Sequence, residues 1–385
     1  MTEANRRTSV ASRGSFGALA VLVACGSSGA ATGSSSSDAS PACAPSDALW
    51  AASDYSSSAV GALSLAHGVT STNLGVDLGA DPALAVSNGR AFFVARDQDL
   101  VFEIDPVCGT PKARYSAHVA SQAGSSDPQD VAVASDGSMW VPLYDVPTLL
   151  VLAPDGSVAR SIDLSAYGGD GNPDASAIAI VDTPAGEKAF VALERLSPSF
   201  QAVQPSWMLR VDVATGVVET HIELVGRNPF GMFQDGPLLW LAEPGNFDSA
   251  DEPLAGVERF DTSTSTTALV VSEPDLGGSV AQVVVSGGCG IAIVADATSV
   301  NATSLVTFDP TAGTPIATGA NSPLATSGFD LEGLAWVRGA LLVGDRSARA
   351  ATGYPVHTLD VTGTCALSRQ PDQVFLPLPP VAVLP

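Results

Sequence analysis

Lysine is almost absent from the sequence, which has only two lysines among 385 residues. The 17 lysines and arginines stand against 40 aspartates and glutamates, so the formal net charge is −23. A surface of this charge repels phosphate groups. Nucleic acids and anionic membrane surfaces are therefore not expected as partners.

The sequence also lacks helical periodicity and the common catalytic motifs. No segment has a sustained apolar period of 3.6 residues, as an amphipathic helix would. There is no Gly-x-Ser-x-Gly, no His-Glu-x-x-His, no phosphate-binding loop and no Cys-x-x-Cys. These absences favour strands over helices and give no direct evidence for an enzyme.

The N-terminus has the features of an export signal. Three arginines precede "FGALAVLVA", an apolar run too short to span a bilayer. The following "LVAC" resembles the bacterial lipoprotein box, which implies that residues 1–24 are a cleaved signal peptide and that Cys25 receives a lipid. The alternative is an ordinary secretory signal with an incidental cysteine, and in both cases the chain is exported.

Residues 25–45 form a Gly/Ser/Ala-rich tract that contains "GSSGAATGSSSSDASPA". Such a tract has no apolar period and is expected to act as a flexible tether. The globular domain is then expected to occupy residues 46–385. The lipid would hold this domain at the bacterial cell envelope, with the outer membrane favoured over the inner membrane.

Short apolar runs recur at intervals of about 45 to 56 residues, the range of propeller blades. Each copy has an apolar run, a short turn, a second run, a third run that ends in an acid and a turn, and a more polar fourth run. The first runs are "DPALAVSNG", "DPQDVAVASDG", "NPDASAIAI", "NPFGMFQDG", "GSVAQVVVSGG" and "DLEGLAWVRG". The pattern predicts an all-β fold of four-stranded antiparallel blades.

The two ends of the chain complete one further blade. Residues 48–78 supply second, third and fourth strands but no first strand, whereas "DQVFLPLPPVAVLP" supplies an unpaired apolar run. With the six complete copies, this predicts a seven-bladed β-propeller that is closed by both chain ends. The closing strand should be irregular, because Pro379 and Pro380 cannot donate backbone hydrogen bonds.

The segment "MLRVDVATGVVETHIELVGRNPFGMF" resembles the YVTN-type propeller repeat. Asp212, Thr215, Gly216, Gly226 and Pro229 match its consensus, and "VTFDPTAGTPIATG" is a second good match. The resemblance implies a propeller fold and says little about function, because propellers have many unrelated activities.

Loop lengths indicate where a ligand would bind. The turns between strands one and two and between strands three and four are short, and nearly all long segments lie on the opposite face of the disc. Because binding residues concentrate on such loops, Trp207, Phe247 and Tyr354 are the candidates for a binding face. The alternative is neutral variation in surface loops.

Four cysteines remain in the exported chain after Cys25, which suggests two disulfides. Cys289 lies in a one-to-two turn, and Cys365 follows the three-to-four turn of the next blade. Cys43 and Cys108 have the same relation in the closing blade and the blade after it. The positions therefore predict the pairs Cys43–Cys108 and Cys289–Cys365.

The stretch "DLEGLAW" resembles the Glu-Gly-x-x-Trp segment of gluconolactonase-like propellers, which implies Glu332 as a metal ligand on the axis. Corresponding positions in other blades give only Asp130 and Gln282. A metal site needs further converging ligands, so a polar axial channel is expected instead. The four histidines, His67, His118, His221 and His357, share no position in the repeat, and no metal site is expected from them.

Two acidic stretches raise the question of calcium. "DGNPD" spaces Asp170, Asn172 and Asp174 as in a calcium loop, but the later ligand positions do not match, and an Asx-rich turn explains it better. "EPGNFDSADEPLAG" clusters acids on the long-loop face, where weak calcium binding is an alternative to a solvated surface. No cofactor is expected otherwise.

The sequence thus predicts an exported, lipid-anchored, monomeric propeller that acts as a non-catalytic binding or scaffold module. Its partner would be a protein or glycan of the cell envelope. The rival hypothesis is a lactonase- or esterase-like metal hydrolase with Glu332 and Asp130 at the axis.

Overall fold

The apolar runs of the sequence form β-strands in the part of the chain that the structure describes. In this computed structural model that part consists of residues 44–120, 124–247, 252–296, 302–328, 330–347, 353–363 and 365–385. No helix within these ranges has both the length and the apolar character needed to cross a membrane.

The strands group into seven antiparallel sheets, each of which is one blade, as the sequence predicts. We number blades 1 to 6 along the chain and call the seventh the closing blade. The first three blades contain β4 (Pro82–Ser87), β5 (Arg90–Ala95), β6 (Leu100–Ile104) and β7 (Pro111–Ser116); β8 (Ala132–Val133), β9 (Met139–Pro142), β10 (Thr148–Leu152) and β11 (Val158–Asp163); and β12 (Ala175–Thr183), β13 (Gly186–Leu193), β14 (Trp207–Asp212) and β15 (Val218–Glu223).

The next three blades follow the same order, with one short α-helix, α1 (Glu273–Leu276), between blades 4 and 5. They contain β16 (Gly231–Asp235), β17 (Leu238–Glu243), β18 (Gly256–Asp261) and β19 (Thr266–Ser272); β20 (Gly278–Ser286), β21 (Cys289–Asp296), β22 (Thr303–Asp309) and β23 (Thr314–Ala317); and β24 (Leu331–Val337), β25 (Ala340–Asp345), β26 (Tyr354–Thr362) and β27 (Ala366–Arg369).

Both chain ends build the closing blade, as predicted. Its strand order is β29 (Pro380–Leu384), β1 (Ala48–Ser53), β2 (Ser58–Ser64) and β3 (Gly68–Gly75). The register between β1 and β29 shifts between Ala51 and Ala52, where Ala52 faces Pro380. The predicted irregularity of the proline-containing strand is therefore confirmed.

The C-terminal segment contributes a second strand that the sequence did not reveal. Strand β28 (Val374–Leu376) pairs with the first part of β26, from Tyr354 to Val356, whereas β27 pairs with the rest of β26. The outer strand of blade 6 is therefore split in two, and the C-terminal run serves two blades.

Burial changes systematically across each blade. Every residue of β1 and β9 is buried, whereas β11 and β15 contain only exposed and half-buried residues. A second strand is covered by neighbouring blades on both sides, so it is apolar throughout. Trp50, Trp140 and Trp240 lie on second strands and are buried, so they pack between blades.

The topology separates two faces of the disc. One face carries the turns between strands one and two and between strands three and four, such as Asn88-Gly89, where both residues have positive φ. The other face carries the loops between strands two and three and the connections between blades. We call this second surface the thick face.

Candidate functional site

Asp130, predicted to lie at the axis, joins two blades. Its Oδ1 accepts the Val131 N–H at 2.7 Å, and its Oδ2 accepts the Ile178 N–H at 3.1 Å. Ile178 lies on β12, the first strand of the next blade. Burial raises the pKa of Asp130, and these two N–H groups lower it in part. Its carboxyl oxygens are thus engaged with the backbone of blades 2 and 3.

Gln282 has the same role between blades 5 and 6. Its Oε1 accepts the N–H groups of Gly333 at 3.0 Å and Leu334 at 2.9 Å. The register of β24 shifts between Glu332 and Leu334, where Gly333 has φ +83°. Such a bulge leaves backbone donors without ladder partners, and Gln282 supplies the acceptor for them.

Serine side chains on other first strands make equivalent bonds to the following blade or to the segment that leads into it. The Ser87 hydroxyl accepts the Val133 N–H at 2.9 Å, which joins blades 1 and 2. The Ser176 hydroxyl donates to the Pro229 carbonyl at 2.6 Å, which joins blades 3 and 4. Polar side chains on the first strands therefore connect successive blades.

Glu332 contacts a cation of its own blade. Its Oε2 lies 3.0 Å from Nη1 of Arg346. Glu332 also acts on Arg96. Burial would lower the pKa of Arg96, but Asp81, Asp127 and more weakly Glu332 outweigh it and raise that pKa. The axial charges thus stabilise one another.

Asp130, Gln282 and Glu332 lie in blades 2, 5 and 6, and each of the three side chains makes contacts of its own. Within the ranges described above, no group of three or more His, Cys, Asp and Glu side chains could hold a metal ion.

Trp207, predicted to belong to a binding face, is already packed. The Arg195 guanidinium lies 3.5 Å from its ring centroid, and the His221 ring stacks on it at 4.2 Å. Arg195 also donates to the carbonyls of Tyr167 and Pro205. Burial lowers the pKa of Arg195, against the effect of Glu223. Trp207 is a packing residue of blade 3 in this arrangement.

Phe247 lies on the thick face in contact with another aromatic side chain. Its ring meets that of Phe230 edge to face, with centroids 5.4 Å apart. Phe230 is 40% exposed and directly precedes β16. The two rings join the long loop of blade 4 to the connection between blades 3 and 4.

Further apolar side chains on the long loops of blades 3 and 4 are exposed to solvent. Phe200 is 42% exposed, Val203 60% and Leu254 40%. We call Phe200, Val203, Phe230, Phe247 and Leu254 the thick-face patch. The sequence analysis did not identify Val203, Phe230 and Leu254 as candidates for the binding face. Each is an apolar residue within a polar loop, and this feature could have indicated them.

Hydrogen bonds connect the three segments that carry the patch. The Ala202 N–H donates to Asn246 Oδ1 at 2.8 Å, and Arg227 donates to the Ala202 carbonyl at 3.1 Å. Asn228 donates to the Gly245 carbonyl at 2.7 Å. The loops of blades 3 and 4 therefore hold the patch in a fixed arrangement.

Tyr354, the third predicted face residue, begins β26 and faces Leu376 of β28 in the ladder. It lies in blade 6, whereas Trp207 and Phe247 lie in blades 3 and 4. The three predicted face residues thus belong to separate blades.

The acidic loop of blade 4 does not present all its acids to solvent. Glu243 is fully buried, and burial together with Glu258 raises its pKa well above the ordinary value. Glu258 accepts the N–H groups of Val225 and Gly226. Glu252 binds the Asn246 side chain at 2.7 Å. Asp248 and Asp251 lie outside the described residues, so calcium binding there stays a prediction.

The "DGNPD" stretch forms a turn between blades 2 and 3. The Asn172 N–H bonds to Asp170 at 3.0 Å, and its side chain donates to the Tyr144 carbonyl at 2.8 Å. Asp174 accepts the Leu196 N–H at 2.9 Å. These bonds support the interpretation as an Asx-rich turn.

Cys289 and Cys365 form a disulfide across 76 residues, with Cα atoms 5.4 Å apart. The bond joins blades 5 and 6 as the blade positions predict. Cys108 lies in the turn between β6 and β7, but Cys43 lies outside the described residues, so the pair Cys43–Cys108 stays a prediction. Cys25 lies outside them as well.

Comparisons with known proteins show the fold alone. No protein-family model and no curated protein matches the chain. A functionally unknown protein from Desulfotomaculum acetoxidans is 14% identical, with 88% of this chain and 98% of that one covered and a TM-score of 0.54. A candidate 6-phosphogluconolactonase from Bacteroides uniformis is 14% identical, with 87% and 98% covered and a TM-score of 0.51. Virginiamycin B lyase from Staphylococcus aureus is 11% identical, with 76% and 84% covered and a TM-score of 0.48.

Proposed function

We propose that the protein is an exported, lipid-anchored propeller with YVTN-type repeats that acts as a non-catalytic binding module of the bacterial cell envelope. It binds a protein or a glycan through the thick-face patch. The membrane is reached only through the lipid on Cys25, and the propeller acts as a monomer.

The observation that carries this proposal is the exposure of the thick-face patch. Large contiguous patches of exposed apolar side chains mark interaction sites, and hydrogen bonds between the loops of blades 3 and 4 support such a grouping here. The axial side chains, in contrast, are bonded to other groups of the protein. Asp130 and Gln282 accept backbone hydrogen bonds, and Glu332 pairs with Arg346.

Capture from solubilised envelope fractions tests the patch. The variant with Phe200→Ser, Phe230→Ser and Leu254→Ser should retain less than a tenth of the partner that the parent protein captures. Its melting temperature should change little, because exposed positions usually contribute within about 0.5 kcal/mol each.

The matched control changes exposed apolar residues elsewhere on the disc. Leu74, Val158 and Ile316 are 65%, 59% and 47% exposed, and each would be replaced by Ser. Capture should persist in this control. Equal capture by the patch variant and the parent would place the binding site elsewhere.

The rival function, a metal-dependent hydrolase, has a separate test. A metal that binds only the folded state increases the free energy of unfolding, by about 2.7 kcal/mol when its concentration is one hundred times its Kd. The melting temperature rises as a result. We expect calcium and zinc to leave the melting temperature unchanged. A rise of many degrees that Glu332→Gln abolishes would instead favour the hydrolase.

Fractionation tests the anchor. Cys25→Ala should move the protein from the membrane pellet to the soluble periplasmic fraction, because the lipid is the only anchor proposed. If the variant still sediments with membranes, the lipoprotein proposal is wrong. This result is independent of the binding test, which uses the propeller surface.

A further inference from the structure

A cleft lies between blades 2 and 3 on the face of the disc opposite the thick face. It encloses about 360 Å³, within the range of about 300 to 1,000 Å³ that small-molecule sites have. Blade 3 lines it with the turns between β12 and β13 and between β14 and β15. The blade 2 side chains that line it include Ser138, Trp140, Val151 and Ala159.

The repeat shows why this cleft is open. Trp140 faces Val151 in the ladder between the second and third strands, and the equivalent pairs are Phe92–Glu103 in blade 1 and Phe190–Arg210 in blade 3. Three positions are defined by this pair: two residues before the ring, the ladder partner of the ring, and the bulge residue of the outer strand. They hold Ser138, Val151 and Ala159 in blade 2, but Arg90, Glu103 and Lys112 in blade 1 and Lys188, Arg210 and Glu219 in blade 3. Blade 2 therefore has small side chains where both neighbouring blades have charged ones.

In blade 1 these positions hold an arginine against an acid. Nε and Nη2 of Arg90 lie 3.2 and 2.6 Å from the two carboxylate oxygens of Glu103. The guanidinium lies over the ring of Phe92, 5.1 Å from its centroid, and donates to the Gly137 carbonyl of blade 2 at 3.1 Å. The cation thus fills the space between blades 1 and 2.

Blade 3 uses a lysine at the same position. Nζ of Lys188 lies 2.6 Å from Asp212 and 2.7 Å from Glu219, and Lys188 is 4% exposed. Blades 1 and 3 therefore both place a cation where blade 2 has Ser138. The cleft corresponds to the space that this cation fills in the other two blades.

Carboxylates line the cleft from both blades. Asp136 accepts the Ser138 N–H at 2.9 Å, and hydrogen bonds from Ser138 together with the charge of Arg160 hold the pKa of Asp136 below its ordinary value. Glu187 accepts the N–H and the hydroxyl of Ser135 at 2.8 and 2.6 Å, which joins blade 3 to blade 2. An ionised carboxylate accepts at about four lone-pair sites, so both acids can accept further donors.

The other charged side chains of the cleft are engaged with neighbouring groups. Arg160 donates to the carbonyls of Val213 and Ala214 at 3.4 and 2.8 Å. Asp212 binds Lys188, and hydrogen bonds from Lys188 and Thr215 lower the pKa of Asp212 to about 2. Three acids and one base thus line the cleft. This balance favours a cationic ligand.

We propose that the cleft between blades 2 and 3 binds an alkylguanidinium group, which takes the place that Arg90 has in blade 1. Trp140 offers the ring that Phe92 offers to Arg90, and Val151 contacts the alkyl chain. Asp136 and Glu187 accept the guanidinium N–H groups. The group belongs to a free guanidinium compound or to an arginine side chain of a partner protein. The site is separate from the thick-face patch and does not depend on the function proposed for that patch.

NMR titration of the purified protein with butylguanidinium tests this site. The indole N–H of Trp140 donates to the Ser138 hydroxyl at 3.2 Å, so its signal reports directly on the cleft, and Trp140→Phe assigns it. Butylguanidinium should shift this signal in a saturable manner. Butylurea has nearly the same shape without the charge and should not shift it. Equal binding of the two compounds would overturn the proposal.

Two variants with matched controls locate the site. Ser138→Arg places a guanidinium of the protein itself in the cleft and should abolish binding, whereas Ser157→Arg adds the same charge to an exposed turn of blade 2 and should bind like the parent protein. Asp136→Asn should weaken binding about tenfold, because it removes a charge-assisted hydrogen bond. Asp155→Asn, in the same exposed turn as Ser157, should leave the affinity unchanged.

If Ser138→Arg does not fold, Asp136→Asn still decides the matter. The proposal is wrong if a folded Ser138→Arg variant binds butylguanidinium like the parent, or if Asp136→Asn binds it as well as Asp155→Asn does. The peptide acetyl-Gly-Arg-Gly-amide then identifies the source of the group. Tighter binding of the peptide than of butylguanidinium supports an arginine side chain of a partner protein, and weaker binding supports a free guanidinium compound.

Discussion

Glu273 provides the sharpest test of the electrostatics of this fold. It begins the short helix α1 between blades 4 and 5, and its side chain is fully buried. Burial, together with the weaker effect of Glu252, raises the pKa of Glu273 to about 8, although Ser279 and the Val280 N–H lower it in part. Glu273 is therefore protonated at neutral pH in the folded state and ionised in the unfolded state.

The effect on stability follows from this difference. An increase in pKa from 4.5 to about 8 corresponds to about 5 kcal/mol at about 1.4 kcal/mol for each pKa unit. The unfolded chain releases the proton above pH 4.5, whereas the folded protein holds it until about pH 8. Stability is therefore full below pH 4.5 and falls as the pH rises through 8.

Glu273→Gln removes this ionisation while it keeps the size of the side chain. We expect the free energy of unfolding of the variant, relative to the parent, to increase by about 3 to 5 kcal/mol between pH 4.5 and pH 9. Denaturant unfolding curves at four pH values in this range would measure it. Glu223→Gln, on the exposed outer strand β15, is the control. Parallel pH profiles for the Glu273 variant and the parent would refute the argument.

Three further predictions concern the connections between blades. Arg346→Met should lower the free energy of unfolding by about 3 kcal/mol in denaturant titrations, because Glu332 loses its cation and the carbonyls of Pro380 and Ser53 lose a donor; an unchanged midpoint would contradict this. Replacement of Cys289 and Cys365 by Ser should cost up to about 4 kcal/mol, since their disulfide closes a loop of 76 residues; reductant should then lower the melting temperature less than it does in the parent protein. Deletion of residues 378–385 removes β29 and should cause aggregation or rapid proteolysis, and cooperative melting at the parental temperature would show that closure does not need this strand.

The fold could be predicted from the sequence because its information is local and repeated. Each blade has the same order of apolar runs and tight turns, and the leftover runs at the two ends account for the closing blade. The split outer strand of blade 6 was not predictable in the same way. Strand β28 has only three residues, and it pairs with the part of β26 that β27 leaves uncovered.

The roles of the axial residues could not be predicted from the sequence. The pattern places Asp130, Gln282 and Glu332 near the axis, but it does not show which backbone donors lack a partner there. That depends on the bulge at Gly333 and on the register between blades. The packing of Trp207 could not be predicted from the sequence either. The long loop that precedes it suggested an exposed side chain, but Arg195 and His221 pack against its ring.

Arg346 shows why charged residues near the axis are needed even without a ligand. The closing strand contains prolines, so its backbone cannot provide a full set of donors. Arg346 donates to the Pro380 carbonyl at 2.8 Å and to the Ser53 carbonyl at 3.3 Å, and thus holds both chain ends from blade 6. Its charge is balanced by Glu332 at 3.0 Å. Glu332, the residue that resembles a metal ligand, is therefore explained by closure of the ring.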